Sequence, residues 1–154
     1  MTLNSAAVRQ PGLVTEIARR FGSQCAVVAI EAKRAGPGRW TAMIENGREP
    51  TGLDVVEWAA RVSDLGAGEI LLTSIDQDGT RRGCDLELTR AVAEKVSIPV
   101  IASGGPGKVE HVVDAFQVGQ ADAVALGTLL HFNLSDVASV RRAVANAGVA
   151  VRAA

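Results

Sequence analysis

Four apolar, β-branched runs constrain this chain most: CAVVAI (25–30), EILLTSI (69–75), IPVIAS (98–103) and ADAVALG (121–127). They are nearly continuous and lack the alternation of a strand that keeps one face in water, so they predict parallel strands covered on both sides. Helical periodicities lie between them. Val109, Val112, Val113 and Phe116 fall at i, i+3, i+4 and i+7 ahead of Gly119, and Val55, Trp58, Ala59 and Val62 make a second stripe. Asp85 is placed to cap a helix carrying Leu88, Val92 and Val96, and Ser135 one through Val137, Val140 and Val144 that Gly148 closes. Pro11 opens an early helix with Leu13, Ile17, Ala18 and Phe21, stopped at Gly22. One interruption, WTAMIENGREPTG (40–52), carries an Asn46-Gly47 turn and reads as a hairpin inserted after a strand.

With TLNSA near the N-terminus counted as a clipped first strand, the pattern repeats a βα unit five times. Such repetition means a parallel sheet with right-handed crossovers, either an open doubly wound sheet or part of a barrel. The 154 residues fit one domain, and an apolar fraction of 47% with a net charge of −1 excludes disorder. Sixteen basic against 17 acidic residues leave no surplus for nucleic acid. Membrane insertion is excluded because no apolar run reaches the roughly 18 residues that a span needs. The N-terminus reads as lacking a signal peptide, so a cytoplasmic chain with Cys25 and Cys84 as reduced thiols is expected.

In a parallel α/β fold the C-terminal strand ends share one face, and ligands bind there. Asn4 and Ser5 end the first strand, and Glu31, followed by Lys33 and Arg34, ends the second. Asp76, Asp78, Gly79 and Thr80 follow the third; Ser103, Gly104 and Gly105 the fourth; Gly127 and Thr128 the fifth. SGG and ALGT bring backbone N–H groups where no side chain blocks approach, which suits phosphate oxygens, although single glycines there also serve as tight turns. Asp76 and Asp78 can serve a metal, a base or a turn, and Asp-Gly is a common turn dipeptide. His111 and His131 have no ligand spacing with each other, so no metal is expected, and His131 reads as a packing residue. Glu31 projects from a strand end into the ligand face, where a shielded carboxylate can exchange protons; the other reading is a salt bridge to Lys33 or Arg34. Glu69 lies at the opposite, N-terminal end of its strand and suits a charged plug or gate.

CAVVAIEAKR, GAGEILLTSIDQDGT, IPVIASGGPGKVEHVVDAF and ADAVALGTLLHF, in this order and spacing, resemble the C-terminal half of the cyclase subunit of imidazole glycerol phosphate synthase, from histidine biosynthesis. The resemblance runs from about Leu3 to Val151. TLNSAAVRQPGLV is similar to that family's fourth strand and helix, and GVAVR to its C-terminal tail. A sister barrel, the isomerase of the preceding step, shares SIDQDGT and ASGG, but AKR and LLHF favour the cyclase. The resemblance implies an α/β fold, a partial (βα)8 TIM barrel of about five units: residues 1–22 as a clipped strand 4 with helix 4, and 23–154 as strands 5 to 8 with their helices. It implies a two-phosphate substrate, phosphoribulosylformimino-aminoimidazole carboxamide ribotide, which ammonia from a glutaminase subunit converts to imidazole glycerol phosphate and aminoimidazole carboxamide ribotide. No further cofactor is implied. Asp78, Gly79, Gly104, Gly105, Gly127 and Thr128 match one phosphate site, Asn4 and Ser5 part of the other, Thr73 and Ser103 the substrate pocket, and Glu69 the ammonia gate facing the glutaminase.

Two departures follow from the comparison. The family uses an aspartate at the end of strand 1, absent here, and one at the end of strand 5, where this chain has Glu31. A longer side chain displaces the carboxylate, and misplacement by about 1 Å can cost on the order of a hundredfold in rate. The chain is therefore expected to bind a phosphorylated small molecule or inorganic phosphate and to lack cyclase activity alone. Typical barrels take about 250 residues, so the open edges predict association, as a homodimer or with a complementary half-barrel. In a homodimer of strands 5 to 8, residues 1–22 are surplus, and Met1 at the edge of a strand points to truncation. The alternative function is a non-catalytic assembly module or barrel fragment that self-associates.

Overall fold

The computed structural model describes residues 1–151; Arg152 of the GVAVR motif lies outside them. Seven strands form one sheet: β1 (Thr2–Leu3), β2 (Val27–Gly36), β3 (Arg39–Ile44), β4 (Glu49–Asp54), β5 (Glu69–Ser74), β6 (Val100–Ser103) and β7 (Ala123–Ala125). Their order is β4-β3-β2-β5-β6-β7, with β1 beside β2. β1, β2, β5, β6 and β7 run parallel, and β3 and β4 add an antiparallel extension. Helices alternate with the parallel strands: α1 (Ser5–Arg9) and α2 (Gly12–Phe21) before β2, α3 (Val55–Asp64) before β5, α4 (Leu86–Ala93) before β6, α5 (Val109–Gln117) before β7, and α6 (Thr128–His131) and α7 (Val137–Asn146) after it. This is the α/β architecture expected, and it is consistent with a partial βα barrel.

Local chemistry explains where the helices begin. Asp54 accepts from the N–H groups of Val56 and Glu57 at 2.9 and 3.2 Å, and Asp85 accepts from Leu88 N–H at 3.1 Å. These aspartates satisfy first-turn donors that have no partner inside the helix. At α7 the cap is Asp136, not Ser135: its carboxylate accepts from Ser139 N–H at 2.7 Å, which holds its pKa below the usual range. A charged acceptor at that place outcompetes the hydroxyl one residue earlier. Pro11 is the cap of α2 and not its first residue, a shift of one position.

β2 changes neighbours along its length. Its first residues pair with β1 (Thr2 with Val27, Leu3 with Val28), and from Glu31 onward the same edge pairs with β3. Asn4 bridges the gap, its side-chain amide donating to Ala29 O at 3.0 Å and Met43 O at 3.2 Å. The hairpin expected after the second strand is thus a three-stranded meander in which β2 itself takes part. Its β3–β4 turn places Glu45, Asn46 and Gly47 at left-handed φ of 52°, 56° and 75°.

The period-2 alternation of a strand separates two faces of the parallel sheet. Val28, Ile30, Ile70, Leu72, Val100 and Ala102 are at most 1% exposed, while Val27, Ala29, Leu71 and Ile101 are only half-buried. The largest apolar cluster runs from Leu3, Ala7 and Val14 through the sheet to Trp58, Val62 and Leu88. Residues 1–22 are therefore part of this core, with Ala7 and Val14 wholly buried. Two smaller clusters lie at the β6–β7 end, one around Cys84, Ala102 and Ala115, the other around Val112, Leu129 and Val144. Among the described residues no helix is long and apolar enough to cross a membrane.

Candidate functional site

The C-terminal ends of β5, β6 and β7 enclose a cavity of about 330 Å3 lined by Asp78, Ser103, Gly104, Gly105, Pro106, Ala125, Leu126, Gly127 and Thr128. Three chain segments shape it. After β5 the chain turns back on itself: Ser74 O accepts from the N–H groups of Gln77 and Asp78 at 3.2 and 3.0 Å. Further on, Gly83 N–H donates to Gly105 O at 2.9 Å, binding this loop to the one after β6. Glycine is required at the crossing. Gly104 and Gly105 have φ of 89° and 108°, and a Cβ on Gly104 would lie 2.8 Å from Ser74 O, while one on Gly105 would run into Gly83 O. The third wall, after β7, leads into α6.

Backbone donors distinguish this cavity. Among the described residues, the N–H groups of Gly104, Gly105, Leu126, Gly127 and Thr128 donate no hydrogen bond within the chain. Gly104 and Gly105 are buried, where backbone donors are ordinarily satisfied, while Leu126 and Thr128 are half-buried and Gly127 is exposed; together these free donors around a concave, glycine-lined space suit an oxyanion. The aspartate readings resolve toward the turn: Asp78 borders the cavity through a tight turn, and Asp76 accepts from Arg34 N–H at 2.7 Å, with Lys33 Nζ 4.0 Å away. Gly79 lies beside Asp78 and does not line the cavity.

The second group of residues crosses the sheet. Register pairs Glu31 with Thr73, Thr73 with Ser103 and Ser103 with Ala125, so these four side chains share one layer on the open face at the cavity end. Glu31 Oε2 is buried and has no hydrogen-bond partner. The salt bridge that would have occupied it is absent among the described residues, since Arg34 pairs with Asp85 and Glu87, and Lys33 with Asp76. Glu69 starts β5 opposite Val27, at the far end of the sheet, half-buried.

Asn4 and Ser5 are brought elsewhere. Asn4 spans β2 and β3, and Ser5 Oγ accepts from Glu45 N–H at 3.1 Å and donates to Asn4 Oδ1 at 3.2 Å, so both hold the meander and neither lines the cavity. His111 Nδ1 accepts from Gly107 N–H at 3.2 Å, which ties the ring to the loop after β6. His131 is exposed and meets Phe132 edge-on at 4.9 Å, so the packing role expected for it does not hold: α6 turns it outward. Among the described residues no group of three or more His, Cys, Asp or Glu side chains lies together as a metal site.

A cluster behind the β5 loop has no counterpart in the sequence reading, which gave Asp85 only a capping role. Arg34 Nη2 reaches both Asp85 oxygens at 3.1 Å, Nη1 reaches Glu87 Oε2 at 2.9 Å, and the guanidinium lies over the Trp40 ring at 4.9 Å. Trp40 Nε1 donates to the same Asp85 at 3.1 Å. The hydrogen bond to Glu87, then the pairing with Asp85, holds the Arg34 pKa above its ordinary value. The one available signal was a tryptophan opening a short hairpin that follows Arg34 by six residues. A family model described as "Histidine biosynthesis protein" matches residues 1–136, a span that includes all seven strands and every residue of the cavity.

Proposed function

The chain belongs to the histidine biosynthesis protein family, and we propose that it is a phosphate-binding βα half-barrel of the cyclase type. The observation that carries this reading is the row of free N–H groups at Gly104, Gly105, Leu126, Gly127 and Thr128 around one cavity. A phosphate there accepts from fixed dipoles that need no reorganisation, and the site needs no surplus of basic side chains. Thr73 and Ser103 extend the cavity along the open face toward Glu31, where the body of a phosphorylated substrate lies. Glu31, with its unpartnered oxygen, is the carboxylate available for proton transfer.

Cyclisation in this family uses two carboxylates, and the second comes from a strand outside this sheet. The chain alone therefore binds without turnover, and activity requires further strands on the open face, ammonia and a glutaminase partner at the Glu69 end. The same reading includes association through the unpaired outer edges of β1 and β7, with a second copy or a complementary half-barrel. Residues 1–22 stay in place in that assembly, because displacing them would expose their own Val14 and Ile17 together with the core that these pack against. A cytosolic setting suits the two free cysteines.

Calorimetric titration with inorganic phosphate and glycerol phosphate tests the site. A Cβ on Gly127 meets nothing within 4 Å, so Gly127→Leu is expected to keep the melting temperature while weakening binding at least about tenfold. No binding to the wild-type chain at millimolar ligand, or equal binding to the variant, overturns the phosphate site. Sedimentation of the same samples tests association, and a strict monomer at micromolar concentration rejects it.

A further inference from the structure

We infer that Arg34 is a positioning residue that holds the anion cavity in shape from behind. Its backbone N–H donates to Asp76 at 2.7 Å, at the first turn of the loop after β5, and its guanidinium grips Asp85 at 3.1 Å, immediately before α4. One residue thus pins both ends of the segment that contains Asp78, which lines the cavity, and Gly83, which bonds to Gly105. The other side of the grip is the meander: Trp40, 2% exposed, stacks under the guanidinium and donates to Asp85. The meander is thereby tied to the cavity wall without touching the cavity.

Charge gives the grip a second role. Asp76, Asp85 and Glu87 gather behind a loop whose front faces an anion, with Asp78 already at the cavity edge. Lys33 approaches only Asp76, at 4.0 Å. Asp85 is 8% exposed beneath the guanidinium, and without Arg34 it loses its cation, so that the carboxylates repel one another and the incoming phosphate. The fork geometry matters as well as the charge, because two carboxylates are held by different nitrogens of one guanidinium, which an ammonium cannot reproduce.

This role rests on the phosphate reading, and Arg34→Lys and Arg34→Met separate the two. Arg34→Lys keeps a cation beside Asp85 and is the variant expected to fold normally. Hydrogen exchange at the amides of Asp78, Thr80 and Gly83 is expected to quicken in both variants, while the Leu72 and Ala102 ladder amides of Arg34→Lys keep wild-type rates. Phosphate binding is expected to weaken about tenfold in Arg34→Met and by less in Arg34→Lys. Unchanged loop exchange in both variants, or protection lost equally across the sheet of Arg34→Lys, overturns the positioning role. Absence of phosphate binding in the wild-type chain overturns the phosphate reading itself, whereas binding that survives unchanged in both variants overturns only the role of Arg34.

Discussion

The two faces of the parallel sheet are built from the same strands yet have different fates. On one, Val28, Ile30, Ile70, Leu72 and Val100 lie under the helices with at most 1% exposure. On the other, Val27, Ala29, Leu71 and Ile101 are half-buried, and the rows end in Glu31, Thr73 and Ser103, of which Ser103 lines the cavity. The helix-covered face has satisfied its hydrophobic requirement within the chain. The open face keeps a polar row at one end and half-buried apolar rows below, so the two faces differ in chemistry as well as in cover. Covered and open positions are thus sorted by a two-residue period.

The sharpest way to break this comparison is a pair of adjacent leucines. Leu72→Ala, on the covered face, is expected to lower unfolding free energy by about 2–5 kcal/mol, and Leu71→Ala, on the open face, by about 1 kcal/mol or less. Chemical denaturation measures both; equal losses would mean that the open face is packed as tightly as the other. Cys84 offers an intermediate effect. Burial, reinforced by the Asp85 charge, pushes its thiol from 9.0 up to about 11. A raised folded-state value favours the protonated thiol, so its contribution is full below about 9 and is lost as pH rises to about 11. The melting temperature is expected to fall more steeply through that window in the wild-type chain than in Cys84→Ala, and parallel curves would remove Cys84 from the account. The smallest effect belongs to Glu31→Gln. The charge it removes has a buried, unpartnered oxygen and no salt bridge among the described residues, so stability is expected to stay unchanged or rise, by no more than about 0.5 kcal/mol. A loss several times larger, by the same denaturation, would make Glu31 a structural group.

What could be read from the sequence follows from what each signal depends on. Parallel strands, helix positions and the Asp85 cap rest on residues close together in the chain and stand near where expected, but one face of the sheet is open where both were expected to be covered, Val96 lies beyond α4, and Phe21 is exposed. The cap at Asp136 in place of Ser135 turned on which of two neighbouring oxygens binds more strongly. Glycine-rich strand ends pointed to the cavity because a parallel fold brings those ends together whatever the intervening loops. Arg34, Trp40 and Asp85 are far apart in sequence, and only the meander's path makes them neighbours. The positions of Asn4 and Ser5 likewise depended on β2 exchanging one partner for another, which no periodicity records.

That exchange gives β2 an unusual fidelity. A strand with one neighbour can slip by a residue and lose a single ladder, but β2 answers to β1, β3 and β5 together. A slip of one residue would turn Glu31 under the helices and bring an alkyl side chain to the open face in its place. The three ladders each reject that error, so the side of the sheet on which Glu31 stands is proofread by the fold.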